Sequence, residues 1–173
     1  VARRPFVAGN WKLNLGPAAS AALAEKLRAR LAGWSAGTVA VFPTALSVAA
    51  VAEVLSGSGI GVGVQEIEAR PNGAFTGANS AAIARELGCD WALVGHSERR
   101  RLWGETDARC AAKLVGALEA GLLPIYCVGE TIEQRRAGEV ERTVFRQLAD
   151  GLAQLEADQV PALTIAYEPV WAI

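Results

Sequence analysis

Short apolar runs alternate with longer amphipathic stretches along the whole chain, and this alternation sets the first expectation. Residues 6–9, 38–42, 59–64, 91–94, 123–128 and 163–167 are rich in apolar side chains and end at or near Gly, Asn, Pro, Gln or Glu, a pattern that predicts strands. Between them, residues 17–31, 80–87, 106–119 and 139–155 place apolar positions three and four apart with Arg or Glu on the other side, as in helices that cover a core. The unit is therefore βα, repeated six times to the last strand. The strand runs show little alternation of apolar and polar residues, so they are expected in a parallel sheet covered by helices and linked by right-handed crossovers. A (β/α)8 barrel and an open doubly wound sheet both satisfy this pattern. No G-x-G-x-x-G turn opens a helix after the first strand, which weakens the dinucleotide-binding version of the open sheet.

Composition narrows the class. With 173 residues, 51% of them hydrophobic and 20% charged, the chain buries a sizeable core in a single domain, residues 1–173. A net charge of −1 leaves no electrostatic footprint for nucleic acid or an anionic membrane. The longest apolar stretch, residues 39–55, contains Pro43 and Glu53, so no segment is expected to span a bilayer. The first residues lead into a strand without a signal-like apolar stretch, and the expected location is the cytoplasm. Cys89, Cys110 and Cys127 are odd in number and lack C-x-x-C spacing, which predicts buried free thiols rather than a zinc site or disulfide.

Candidate chemistry sits at the C-terminal ends of the predicted strands: Asn10 and Lys12 after the first, His96 after the fourth and Glu168 after the sixth. In a barrel those ends converge on one face, where residues distant in sequence meet around one substrate. Read alone, each has an ordinary alternative: a structural or exposed histidine, a solvated lysine, a strand-end carboxylate. Context sharpens them. His96 is the only histidine and follows Gly95 at a helix start, where main-chain N–H groups favour the neutral ring. Lys12 is one of three lysines against fourteen arginines, and its compact ammonium suits a phosphate and a developing oxyanion. Glu168 precedes Pro169-Val170-Trp171, a stiff, bulky connector that fits a hinge leading into a lid.

Four separated motifs, Ala8-Gly9-Asn10-Trp11-Lys12, Gly73-Ala74-Phe75-Thr76-Gly77, Gly95-His96-Ser97-Glu98-Arg99-Arg100 and Ala166-Tyr167-Glu168-Pro169-Val170-Trp171, span the chain in one order. Together they resemble the triosephosphate isomerase family. The resemblance implies an α/β fold of the TIM (β/α)8-barrel type, represented by about six βα units, without the lid tip and the last two units whose glycine-rich loops bind phosphate. It implies reversible conversion of dihydroxyacetone phosphate and glyceraldehyde 3-phosphate through an enediol or enediolate, a step of glycolysis and gluconeogenesis. In that reading Glu168 moves the proton, His96 polarises the carbonyl, and Lys12 stabilises negative charge. Asn10 contacts substrate, Ser97 and Glu98 support the site, and neither metal nor organic cofactor is required.

The same resemblance makes residues 73–77, with Phe75 and Thr76, an interface loop that reaches a partner's pocket in a homodimer. Two departures stand out. Ala78 occupies a position where the family usually carries an acid, and Glu66 follows Gln65 where Asn or Asp is usual. Glu66 is expected to supply the carboxylate absent at Ala78, toward Arg99 of either subunit, and Glu105 to bind the same guanidinium within one subunit. The early ending leaves a second functional reading, a non-catalytic fragment that keeps folding and association surfaces. Its first and sixth strands would lack neighbours, and association through those edges or the Phe75-Thr76 loop is expected.

Overall fold

The computed structural model describes residues 4–173; residues 1–3, read above as leading into the first strand, lie outside them. Six strands alternate with seven helices: β1 (Phe6–Asn10), α1 (Pro17–Arg30), β2 (Thr38–Phe42), α2 (Val48–Leu55), β3 (Ile60–Val64), α3 (Ala81–Glu86) and β4 (Trp91–Val94) come first. Then follow α4 (Ser97–Trp103), α5 (Asp107–Glu119), β5 (Leu123–Val128), α6 (Ile132–Arg136), α7 (Val140–Leu152) and β6 (Thr164–Tyr167). Local chemistry fixes the helix starts. Pro17 opens α1, the Ser80 hydroxyl accepts from Ile83 N–H at α3, and the Thr106 hydroxyl accepts from Arg109 N–H at α5.

All strands are parallel, and their order in the sheet is their order in the chain. Side-chain direction shows that the sheet curls. Phe6, Ala40, Phe42, Trp91, Leu93, Ile125 and Ala166, drawn from β1, β2, β4, β5 and β6, join one cluster on the inner face. The Phe6 and Trp91 rings lie 4.6 Å apart although β1 and β4 are three strand spacings from each other, roughly 14 Å in a flat sheet. A flat doubly wound sheet is thereby excluded. The expected incomplete barrel is found instead.

Alternate residues face outward. Val41, Val62, Val64 and Ala92 pack with α1, α2, α3 and α5, while Val94, Tyr126 and Val128 pack with α5 and α7. Both faces of the middle strands are thus apolar, which is why their sequences show no polar alternation. The inner face is tight at Gly63, where a Cβ would lie 2.2 Å from the Phe42 ring. At the ends of the sheet, outward-facing Val7 and Ile165 remain exposed. Among the described residues, no helix is long and apolar enough to cross a membrane. The three cysteines are buried with free thiols; burial pushes Cys89 and Cys110 up to about 11 and Cys127 up to about 12, so all three are unreactive near neutrality.

Candidate active site

The C-terminal ends of the strands form one rim, and the polar residues singled out above stand on it. Lys12 follows β1 with φ +52°, a left-handed conformation that costs a non-glycine residue roughly 1–3 kcal/mol unless its surroundings impose it. Here they do. The Lys12 N–H donates to Asn10 Oδ1 (3.0 Å), and the Lys12 carbonyl accepts from Gln65 Nε2 (2.8 Å). The same Gln65 amide also donates to the Phe42 carbonyl (2.8 Å), tying the turn after β1 to the ends of β2 and β3. Thus held, Lys12 points its ammonium at Glu98 Oε1, 2.8 Å away.

His96 is placed by Gly95, whose φ of +74° turns the chain from β4 into α4. A Cβ there would also lie 2.9 Å from the Arg100 guanidinium and 3.1 Å from both Cys110 Sγ and the Cys127 carbonyl, so only glycine fits. His96 is buried, and its Nδ1 accepts the Glu98 N–H at 3.2 Å. A ring nitrogen that accepts is unprotonated, which assigns the neutral tautomer with its proton on Nε2. That Nε2 lies 3.2 Å from Glu168 Oε1.

Glu168 leaves β6 with its N–H bonded to the Val128 carbonyl (2.7 Å). Its Oε2 is buried without a hydrogen-bond partner, a free acceptor on the side chain expected to move a proton. Burial opposes ionisation, but the His96 hydrogen bond and the nearby Ser97 amide and hydroxyl outweigh it and hold the carboxyl below the ordinary 4.5. Because the folded value is depressed, Glu168 adds stability above its unfolded value, and this is lost as pH falls through the folded one. A carboxyl-carbon NMR titration is expected to give a midpoint under 4.5, with the stability gap between wild type and Glu168→Gln shrinking in acid. A midpoint above 4.5 would contradict this account of the site.

The segment after Glu168 has its own anchor, which the sequence did not single out. Glu130, two residues after β5, accepts from Tyr167 Oη (2.9 Å), Trp171 Nε1 (2.9 Å) and Arg135 (3.1 Å). Arg135 also stacks on the Trp171 ring at 4.6 Å. The carboxylate is shielded by these partners more than by depth; burial raises its pKa, but the three bonds prevail and lower it. Glu130→Leu should release Trp171 and shift its fluorescence to the red. A spectrum unchanged against a Trp171→Phe reference would show that the anchor does not hold the indole.

A cleft of about 410 Å³ opens on this rim, bordered by Asn10, Lys12, Gln65, His96, Glu98 and Arg99. Glu168 lies beside it, in the crevice between Ser97 and Gly129. A larger groove, about 730 Å³, sits at the opposite end of β2, β3 and β4 and holds none of these groups. Both carboxylates expected near Arg99 are there: Glu105 Oε2 is 2.9 Å from its Nε, and Glu66 Oε1 is 3.6 Å from its terminal nitrogen. Buried Lys113, another residue not foreseen, bridges Glu66 (2.6 Å) and Glu105 (3.0 Å). Of the loop, Gly77 borders the rim cleft, while Phe75 and Thr76 do not. Phe75 packs under the Arg70 guanidinium at 3.8 Å, and Thr76 is exposed.

Comparison with known proteins agrees with this geometry. A family model described as triosephosphate isomerase matches residues 5–173. Triosephosphate isomerases of Symbiobacterium thermophilum and Ralstonia nicotianae are each 47% identical over 172 residues, covering 99% of this chain and 67% and 68% of theirs. The crystal structure of triosephosphate isomerase from Bartonella henselae superposes with a TM-score of 0.88 at 34% identity, over 98% of this chain and 69% of that one.

Proposed function

The chain belongs to the triosephosphate isomerase family, and we propose that Glu168 is its proton-transferring base, His96 its electrophile and Lys12 the cation beside the developing oxyanion. The carrying observation is the His96 Nε2 to Glu168 Oε1 approach of 3.2 Å, with His96 Nδ1 already occupied by a main-chain N–H. Triosephosphate isomerase is itself the type case of a glutamate base working with a neutral histidine, so these roles follow the family and are matched to the geometry here.

The chemistry interconverts dihydroxyacetone phosphate and glyceraldehyde 3-phosphate. Glu168 takes the proton from the carbon next to the carbonyl; the C–H electrons form the C=C bond of the enediolate, and the carbonyl π electrons move onto oxygen. The neutral His96 Nε2–H serves that oxygen and relays the hydroxyl proton, while Lys12 opposes the charge. Returning the first proton to the adjacent carbon completes the exchange of ketone and aldehyde. No outside oxidant or reductant enters, and the chemistry calls for neither metal nor organic cofactor. Asn10 holds the Lys12 N–H, and Glu98 serves both partners, with its N–H on His96 and its carboxylate on Lys12.

We also assign the chain to the cytoplasm, in keeping with glycolytic chemistry, and to a homodimer in which the loop bearing Phe75 and Thr76 enters the cleft of a second copy. The loop is braced for this by Arg70 over Phe75 and by Ser80 on Asn72. Purified chain of confirmed intact mass should interconvert the two triose phosphates in a coupled assay. A folded chain without turnover would sink the catalytic proposal and leave only the association role.

A further inference from the structure

We infer that Gln147 is a positioning residue of the reaction: it fixes the Gly129 peptide against which Glu168 is seated, and so places the carboxylate beside His96 without touching substrate. The inference rests on Glu168 being the base, as proposed above. Gln147 lies on α7, an outer helix, yet it is buried together with Thr143 and Gly151, four residues before and after it, in one stripe of that helix. A primary amide buried there opposes folding unless its groups are bonded, and both bond one residue. Oε1 accepts the Gly129 N–H at 2.8 Å, and Nε2 donates to the Gly129 carbonyl at 3.1 Å. The ladder between β4 and β5 ends with Val94 opposite Tyr126, short of Gly129, so the Gln147 amide takes the place of a neighbouring strand.

The residues on either side of Gly129 carry the catalytic segment. The Val128 carbonyl accepts the Glu168 N–H (2.7 Å), and the Glu130 carbonyl accepts the Val170 N–H (3.0 Å). Gly129 stands between them, so close to Glu168 that a Cβ would lie 1.9 Å from its carbonyl oxygen. The backbone of Glu168 therefore rests on a peptide whose orientation Gln147 sets. Gln147 is held in turn: its own carbonyl accepts from Tyr126 Oη (2.7 Å), and Gly151, where a Cβ would lie 2.3 Å from that oxygen, leaves the hydroxyl room. Tyr126 Oη accepts from Arg100 Nη2 (3.2 Å), and Arg100 Nε donates to the carbonyl of Gly95 (2.7 Å), the residue before His96. One network thus braces base and electrophile from behind, and Gln147 is its end at the base.

Gln147→Met keeps the length of the side chain and removes both bonds to Gly129. Measured on the whole chain beside a thermal melt, it should lower kcat by about tenfold or more, since a displacement of about 1 Å costs on the order of 10²-fold, while KM changes by less than about threefold. Made on Glu168→Ala, the same substitution should cost less than about twofold, because no carboxylate remains to be placed. The Glu168 carboxyl midpoint, under 4.5 in wild type, should rise in Gln147→Met as the His96 hydrogen bond loosens. Gln147→Glu keeps an acceptor for the Gly129 N–H but turns a second oxygen toward the carbonyl; it should lower kcat in the same way and replaces the Met variant if that one does not fold. Failure of both to fold makes Gln147 a folding element and overturns the inference, as do a normal kcat, an undiminished effect on Glu168→Ala or an unmoved midpoint. A wild-type chain without turnover fails the assignment of Glu168 as base, and the titration then decides alone whether Gln147 places its carboxylate.

Discussion

Glu168→Ala is expected to lower turnover by roughly 10²–10⁴-fold, the usual contribution of a positioned proton-transfer group, while the fold survives. The carboxylates that follow β4 and β5 on the same rim, Glu98 and Glu130, are already engaged. Glu98 is engaged with Lys12, and Glu130 with Tyr167, Trp171 and Arg135. The fold should persist because Glu168 holds its strand position through main-chain contacts, with its N–H on the Val128 carbonyl. Steady-state kinetics beside a thermal melt separates the two effects. Turnover within tenfold of wild type would remove Glu168 from the role of base.

The second large effect is expected at a residue without a side chain. A Cβ on Gly129 would lie 1.9 Å from the Glu168 carbonyl oxygen and 2.6 Å from its carbonyl carbon. Both obstacles are main chain, so no side chain can swing aside; the backbone at Glu168 must move. Displacing a catalytic group by about 1 Å costs on the order of 10²-fold in rate. Gly129→Ala should therefore reduce kcat by about that factor, with far less change in KM, because Lys12 and His96 stand on other strands. A Gly129→Ala enzyme with normal kcat would show that Glu168 tolerates a shifted backbone.

Much of this was legible in the sequence, and the gaps have physical causes. All six strands appear within a residue of their expected bounds, since each is a short apolar run cut off by a polar or turn-forming residue. The helix α2 was not read because Val48–Leu55 is apolar nearly all round and has no polar face to betray a period. The five residues of α6 are too few to show one, and α4 presents a run of charges in which only its start, at His96, is marked.

The site divides similarly. Asn10, Lys12, His96 and Glu168 stand out as polar residues at strand ends. Gln65 and Glu130 occupy the same kind of position after β3 and β5, and the rule that singled out Glu168 would have found them. Lys113 was beyond reach: on the amphipathic α5 a lysine reads as solvent-facing, and only the fold brings Glu66 and Glu105 to it. Glu105 was legible as a partner of Arg99 because it lies six residues away along the chain.

The sequential strand order also bears on time. Because each strand lies beside its immediate predecessor, a nascent chain never has to wait for a distant segment before adding to the sheet. Lys12 can take its left-handed turn once β2 and β3 deliver Phe42 and Gln65, and His96 its tautomer once α4 begins. The carboxylate of Glu168 arrives with the sixth strand, after every group it works with is in place. Bringing Glu168 to His96 is therefore the last event in the growth of this sheet, and every ribosome-bound intermediate that has passed α4 but not β6 carries His96 without Glu168.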